Sequence, residues 1–465
     1  MSNTGLGKNL SKLYELYCAS GGSVTTDSRA VAGLSAPIFF ALKGENFDGN
    51  DYAVRAIADG ASAAVVQGRL PRGVRVDSDE AERYIVVGDT LAALQELAAY
   101  HRTVLGLPVV ALTGSNGKTT TKELIARVLG TKYRVASTRG NLNNHIGVPL
   151  TLLSIGTEED VAVVEMGANH PGEIAALCRI ARPDIGLITN VGRAHLEGFG
   201  GPEGVRRAKG ELFDYLAEQG GTALYAADDA TLAAMAAERF TAASGEESGA
   251  SAVGYSAADF GLSAADGGGG RLTFQTAAGE VRTQLTGAYN VANVAAALAV
   301  GRYFGVSLPE ALRAVAAYVP DNNRSQVEES ANGTGNRLYM DAYNANPSSM
   351  AAALDHFLAW PASGEKVLIL GDMRELGEFS AAEHRAVVER LAGIGGEGVV
   401  CYGVGPEFSA AAKAVAGSGA SVMRTFLSVD ALAEAIERGE VAIRGALVLV
   451  KGSRGMALEK LYPLL

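Results

Sequence analysis

The sequence predicts an α/β protein of three domains, and three features predict it. Short apolar runs alternate with helix-like stretches along most of the chain, one of those runs leads into a glycine- and lysine-bearing loop, and a polar cluster led by Pro320 separates two regions of the same alternating pattern. A chain of 465 residues is also longer than one hydrophobic core organises.

Residues 1–106 hold the apolar runs "IFFAL", "AAVV" and "YIVV" between alanine-rich helical patterns such as "LAALQELAAYHR", which predicts a small α/β N-terminal domain. From residue 107 to 319 the runs strengthen. "VVAL", "VAVVEMG" and "IGLITNVG" are continuously apolar and end in polar or glycine turns, the pattern of a buried, mainly parallel sheet. The Gly/Ser/Ala-rich stretch 241–270 interrupts this rhythm and reads as loops or a β-hairpin excursion. After the helix-like "NVANVAAALAVGRYFG", the segment "YVPDNNRSQ" is the expected linker. Residues 320–465 then carry "RLYMDAY", "KVLILGD", "GVVCYG" and "ALVLVKG" with helices between them, a Rossmann-like rhythm.

Composition excludes several classes of function. A formal net charge of −11 argues against a nucleic-acid partner while leaving room for small anions in local cationic sites. Cys18, Cys178 and Cys401 are scattered without CxxC spacing, so neither a disulfide framework nor a zinc site is expected, consistent with a reducing cytoplasm. The first residues show no apolar core of signal-peptide type. No stretch reaches the roughly 18 apolar residues of a membrane span, so no membrane insertion is expected.

The loop "GSNGKTT" lies where a strand ends and a helix begins, and a helix N-terminus there offers unpaired N–H groups to phosphate. Gly114 and Gly117 let the backbone turn tightly around oxygens, with Ser115 and Asn116 between them. Lys118 reaches terminal phosphates, and the Thr119 hydroxyl, followed by Thr120, faces a magnesium ion. Leu112 stands where the longer GxxxxGK form has its first glycine, so the match is to GxxGKT. Magnesium prefers carboxylate oxygens, and Glu165 closes an apolar strand as either a solvent-facing terminus or a ligand. His195 follows another apolar strand as either a ligand or a satisfied loop histidine. Lys209, beside two arginines, has the default reading of a solvated helix face.

Seven segments taken together, "LTGSNGKTTTKE", "VVEMGANHPGEI", "TNVGRAHLEGFG", "GAYNVANVAAAL", "NNRSQ", "DAYNANPSSM" and "LGDMRELG", resemble the Mur ligase family along nearly the whole chain. The shortened loop is that family's own form. The resemblance implies a UDP-muramoyl-peptide-binding domain (1–106), a central P-loop ATPase-like domain (107–319) and a C-terminal Rossmann-like domain (320–465) that closes on ATP and dipeptide. It further implies ATP-driven ligation of D-alanyl-D-alanine to UDP-N-acetylmuramoyl-tripeptide through an acyl phosphate, in cytoplasmic peptidoglycan precursor synthesis, by a monomer. Residue by residue, Lys118 and Thr119 serve ATP and magnesium, and Glu165 and His195 belong to the metal sites. Lys209 matches a lysine that some relatives carbamylate to support a second magnesium. Asn290 and Asn293 match the adenine side, and Arg324 and Asp341 match ATP contacts from the C-terminal domain. Ser28, Arg29, Asp48 and Gly49 match the uridine-nucleotide region, and Asn143 and Asn144 the muramoyl-peptide region. Asn50 stands where the family more often has histidine, and His145 where it often has glutamate.

Physical need agrees with two metal ions. Pushing a carboxylate against one phosphate charge at about 4 Å costs about 4 kcal/mol at an effective dielectric near 20, nearly a thousandfold in rate. Lys118 alone does not offset a carboxylate and several phosphate charges, whereas two divalent ions with Lys118 and Arg324 do. Among rival readings, the ligase that adds the third peptide residue would carry a "DNPR" motif, absent here, and a folylpolyglutamate synthase would not need "TDSR" and "NFDGNDY". A non-catalytic nucleotide binder would not need Lys118, Glu165, His195, Lys209 and Arg324 together.

Overall fold

A computed structural model describes residues 7–241, 249–266, 271–276, 279–320, 326–362, 364–394, 398–416 and 422–465. The first sheet is four-stranded and parallel, in the order Val24–Thr25, Ile38–Phe40, Ala63–Gln67, Tyr84–Val87. Helix Thr90–Leu105 follows it. Asp89 caps this helix by accepting from the Ala92 N–H at 2.9 Å, and Gly106 in the left-handed region (φ 64°) ends it. The helix also ties this unit to the next one. Arg102 donates to the Ala181 carbonyl at 3.0 Å and pairs with Asp184 at 2.8 Å, and Tyr17 Oη donates to the Leu153 carbonyl at 2.7 Å.

The central sheet has six parallel strands in the order Ser251–Tyr255, Thr222–Ala226, Ile185–Ile188, Val109–Thr113, Val161–Glu165, Val135–Ser137. Every residue of Val109–Thr113 and of Val161–Glu165 is buried, as their continuous apolar character requires of strands covered on both faces. Because Val109–Thr113 lies between Val161–Glu165 and Ile185–Ile188, the loop that follows it opens beside Glu165 on one flank and Thr189 on the other. That is the carboxyl edge where α/β sheets gather ligands.

The stretch 241–270 differs in part from expectation. Ser251–Tyr255 is a parallel edge strand of the central sheet, and Ser263–Asp266, Arg271–Thr276 and Gly279–Thr286 form a separate antiparallel sheet. "SAVGY" lacks a continuous apolar signature because an edge strand buries only part of its surface.

The last sheet is ordered Gln326–Glu329, Arg337–Asp341, Leu447–Lys451, Lys366–Gly371, Val399–Val404, Arg424–Phe426. All neighbours run parallel except the first pair, so the Rossmann-like rhythm gains an antiparallel edge strand whose polar sequence "QVEE" conceals it. Asp321, Asn322, Asn323 and Arg324 of the expected linker lie outside the described residues. Among the described residues no helix is long and apolar enough to cross a membrane.

Candidate active site

Both loop glycines answer to close neighbours. At Gly114 (φ 147°) a Cβ would stand 2.0 Å from Thr189 Oγ1, and at Gly117 (φ 78°) 2.5 Å from Asn293 Oδ1. The loop is laced to the turn after the adjacent strand. The Ser115 and Asn116 N–H groups donate to the Asn190 carbonyl and Asn190 Oδ1, each at 3.0 Å, and Thr189 Oγ1 donates to the Asn116 carbonyl at 2.6 Å. Ser115 Oγ accepts from the Gly192 N–H at 2.9 Å and donates to the Gly192 carbonyl at 3.1 Å. Helix Lys118–Leu129 starts directly from this cradle, so its first-turn N–H groups and positive dipole end face the concavity. Lys118 Nζ folds over the loop and donates to the Gly114 carbonyl at 2.7 Å.

Glu165 ends its strand at 1% exposure. It is a buried cleft residue, and the alternative of a solvent-facing terminus is set aside. Its Oε1 accepts from Asn143 Nδ2 at 2.8 Å and Thr119 Oγ1 at 3.3 Å, while Oε2 is buried and takes no hydrogen bond among the described residues. A buried carboxylate oxygen left without a donor is costly unless a cation completes it. The Lys122 ammonium lies 3.9 Å from that oxygen, beyond hydrogen-bonding distance, so the oxygen's lone pairs stay open and, beside a hydroxyl and a phosphate loop, fit a hard divalent ion. Among the described residues no three His, Cys, Asp or Glu side chains converge as a ready-made metal cluster.

His195 occupies the left-handed region (φ 53°) before the short helix Leu196–Phe199, and its Nδ1 contacts Glu375 of the C-terminal sheet region. This contact holds the Glu375 carboxyl below its usual range. Lys209 is not a solvated helix residue. Helix Pro202–Gln219 buries it to 1% exposure, with Nζ 3.4 Å from the Ala168 carbonyl and 5.1 Å from the Phe199 ring centroid. Burial first, and the nearby Lys118 charge second, push its ammonium down to about 7. A substantial fraction of the amine is therefore neutral, and nucleophilic, near neutral pH.

The opposite wall comes from helix Asn290–Tyr303 and from the C-terminal unit. Asn293 Nδ2 donates to Asn290 Oδ1 at 2.7 Å, and Asn290 Nδ2 donates to the Thr286 carbonyl at 2.7 Å, fixing both amides against the loop. Asp341 pairs with the buried Lys451 at 2.6 Å. Asn346 caps helix Pro347–Ala359 and donates to Asn116 Oδ1 at 2.7 Å, and the Arg193 N–H donates to Ser348 Oγ at 2.8 Å. The C-terminal unit thus touches the phosphate loop itself.

One cleft of about 920 Å³ gathers Ser115, Asn116, Gly117, Lys118, Thr119, Thr120, Asn143, Asn144, Glu165, His195, Asn290, Asn293 and Asp341. Gly114 and Lys209 do not line it but adjoin it, Gly114 through its carbonyl to Lys118 and Lys209 through its approach to Ala168. Ser28, Arg29, Asp48 and Gly49 are elsewhere, on the first sheet's unit. Arg29 is exposed and pairs with Asp27 at 2.8 Å, and Gly49 is dictated by close approach, since a Cβ would lie 2.4 Å from the Leu42 carbonyl oxygen. Asn50 is structural, bracketing the Gln67 backbone by accepting its N–H at 2.9 Å and donating to its carbonyl at 3.0 Å. Arg324 is outside the described residues. Lys451 was missed. It closes the apolar strand "LVLVK" with a lone charge, the same signal that singled out Glu165.

A phosphate loop on a parallel sheet, completed across a cleft by a Rossmann-like unit, defines a P-loop nucleotide-binding protein. Within that class, residues 22–102 match the model of the Mur ligase family catalytic domain, 112–301 the Mur ligase middle domain, and 323–454 the Mur ligase glutamate ligase domain. The chain is 35% identical over 439 residues to a UDP-N-acetylmuramoyl-tripeptide–D-alanyl-D-alanine ligase of Bacillus subtilis, covering 94% of this chain and 92% of the relative. It superposes on MurF from Acinetobacter baumannii with a TM-score of 0.79 at 32% identity, covering 96% of both chains. It superposes on MurF ligase from Thermotoga maritima in complex with ADP with a TM-score of 0.76 at 28% identity, covering 95% and 96%. The chain belongs to the Mur ligase family.

Proposed function

We propose that this chain is an ATP-dependent, ADP-forming ligase that joins D-alanyl-D-alanine to UDP-N-acetylmuramoyl-tripeptide in cytoplasmic peptidoglycan precursor synthesis. The observation that carries this reading is a single cleft shared by the phosphate loop, the orphaned Glu165 oxygen and the Asp341–Lys451 pair. It sits in a chain that matches a relative of that activity over 94% of its length. The terminal carboxylate of the tripeptide attacks the γ-phosphorus, the bond from that phosphorus to the bridging oxygen breaks, and ADP leaves. The dipeptide amine then attacks the acyl phosphate carbonyl, loses a proton, and inorganic phosphate departs.

Lys118 moves from the Gly114 carbonyl to the terminal phosphates, and Gly114 to Thr120 wrap their oxygens. Thr119 and Glu165 would hold one magnesium, and His195 with Lys209, if carbamylated by carbon dioxide, would hold a second. When bound, the ions neutralise phosphate charge. Asn290 and Asn293 face adenine, Arg324 and Asp341 reach ATP from the closing domain 320–465, and Asn143 and Asn144 face the muramoyl-peptide. Ser28, Arg29, Asp48 and Gly49 hold the uridine nucleotide on domain 1–106, with domain 107–319 between, and the chain works as a monomer.

The test is phosphate release with each substrate omitted in turn, together with product mass from tripeptides ending in meso-diaminopimelate or L-lysine. Phosphate release that needs ATP, tripeptide nucleotide and dipeptide together supports the assignment. Release indifferent to the dipeptide refutes it.

A further inference from the structure

Helix Lys118–Leu129 presents more than Thr119 to Glu165. One turn on, Lys122 shares that face and is 2% exposed. Its Nζ lies 3.9 Å from Glu165 Oε2 and 3.9 Å from Glu123 Oε1. The other oxygen of Glu123 accepts from Tyr318 Oη at 2.5 Å. One buried ammonium thus stands midway between two carboxylates, within ion-pair range of both and beyond hydrogen-bonding distance of either. Burying the Glu165 charge demands a compensating cation. Lys122 supplies it without occupying the Oε2 lone pairs that a metal ion would use.

We infer that Lys122 is a positioning residue, a built-in counter-cation for Glu165 that a divalent ion displaces toward Glu123. This rests on the reading of Glu165 as a metal ligand. With no ion, Lys122 neutralises Glu165 and keeps the carboxylate in place. When the ion arrives, repulsion from it moves the ammonium toward Glu123, whose geometry Tyr318 fixes. Lys122 therefore competes with the ion, and Glu123 lowers the cost of giving way.

Free Mn2+ is titrated by electron paramagnetic resonance against the full chain and its Lys122→Met, Glu123→Gln and Glu165→Gln variants, and thermal unfolding is followed in chelator and in Mn2+. Lys122→Met is expected to bind Mn2+ about tenfold or more tighter, since a nearby repelling charge is gone. It is also expected to melt lower than wild type in chelator and to gain more from Mn2+. Glu123→Gln is expected to bind Mn2+ several-fold more weakly, because Lys122 loses its second partner. Loss of charge alone already moves the two single variants in opposite directions, so the double variant Lys122→Met/Glu123→Gln discriminates: if Glu123 acts by receiving Lys122 it binds Mn2+ about as tightly as Lys122→Met, and strictly additive effects overturn the displacement. Unchanged or weaker binding in Lys122→Met, or no weakening in Glu123→Gln, with Glu165→Gln impaired, overturns the inference alone. Wild-type binding in Glu165→Gln overturns it together with the metal reading. If Lys122→Met does not fold, Lys122→Gln takes its place in the same comparison, alone and with Glu123→Gln.

Discussion

Replacing Lys209 by methionine keeps most of the buried volume and removes the ionisable group. In the folded chain the ammonium is held near 7, against an ordinary 10.5. At about 1.36 kcal/mol per tenfold, this amounts to about 5 kcal/mol of penalty for burying the charged lysine. The sign follows from proton counts. Between about pH 7 and 10.5 the unfolded chain binds more protons at this site than the folded one, so wild-type stability rises with pH across that window, and below it the full penalty persists. The methionine variant lacks this term, so its stability advantage over wild type should shrink by about 2 kcal/mol from pH 7 to pH 9. The lost Phe199 contact and the lost approach to the Ala168 carbonyl offset part of the absolute gain but not the slope. Urea unfolding at pH 7, 8 and 9 in carbon dioxide-free buffer measures it. Parallel pH curves for the two proteins would refute the low-pKa amine, and with it the chemical basis for carbamylation. The same amine, supplied with 13C-bicarbonate, should give a carbamate carbon signal that the variant lacks. Turnover of Lys209→Ala should be lost and partly restored by a short carboxylic acid.

Lys118→Ala should leave the unfolding midpoint close to wild type, because the Nζ hydrogen bonds to the Gly114 and Ser115 carbonyls stay within the loop, and should cut ligation about a hundred- to thousandfold or more in a coupled ADP assay. Gly117→Ala forces a Cβ to within 2.5 Å of Asn293 Oδ1 at φ 78°, so about 1–3 kcal/mol of strain should appear as weaker ATP binding by calorimetry; wild-type affinity would mean the loop relaxes freely. Asn346→Ala removes a capping box and the link to Asn116. It should lower stability by about 0.5–2 kcal/mol and raise the Michaelis constant for ATP, and a stability loss alone would assign it a capping role only. Arg324→Ala should reduce turnover far more than uridine-nucleotide affinity, and equal losses would place both ligands on one domain.

Much of the architecture was legible in the residues because the signals are local. Continuous apolar runs marked the buried parallel strands, and the strand–GSNGKTT–helix order marked the phosphate loop before any neighbour was known. A lone charge closing an apolar strand marked Glu165. Strands without that signature escaped. Ser251–Tyr255 and Gln326–Glu329 sit at sheet edges, where half-exposure permits alanine, glycine and glutamate. Spacing along the chain also could not rank the charged residues. Lys209 read as solvated beside two arginines, and its burial arises because helix Pro202–Gln219 packs that one face inward while its flanking arginines stay nearer the surface. Lys122 and Lys451 drew no attention, since a lysine's role depends on which carboxylate, 43 residues away for Lys122 and 110 for Lys451, the sheet order brings beside it. Local chemistry is written in neighbouring letters. The pairing of buried charges is a property of the folded sheet, because desolvation and Coulomb energy depend on distances that only packing sets.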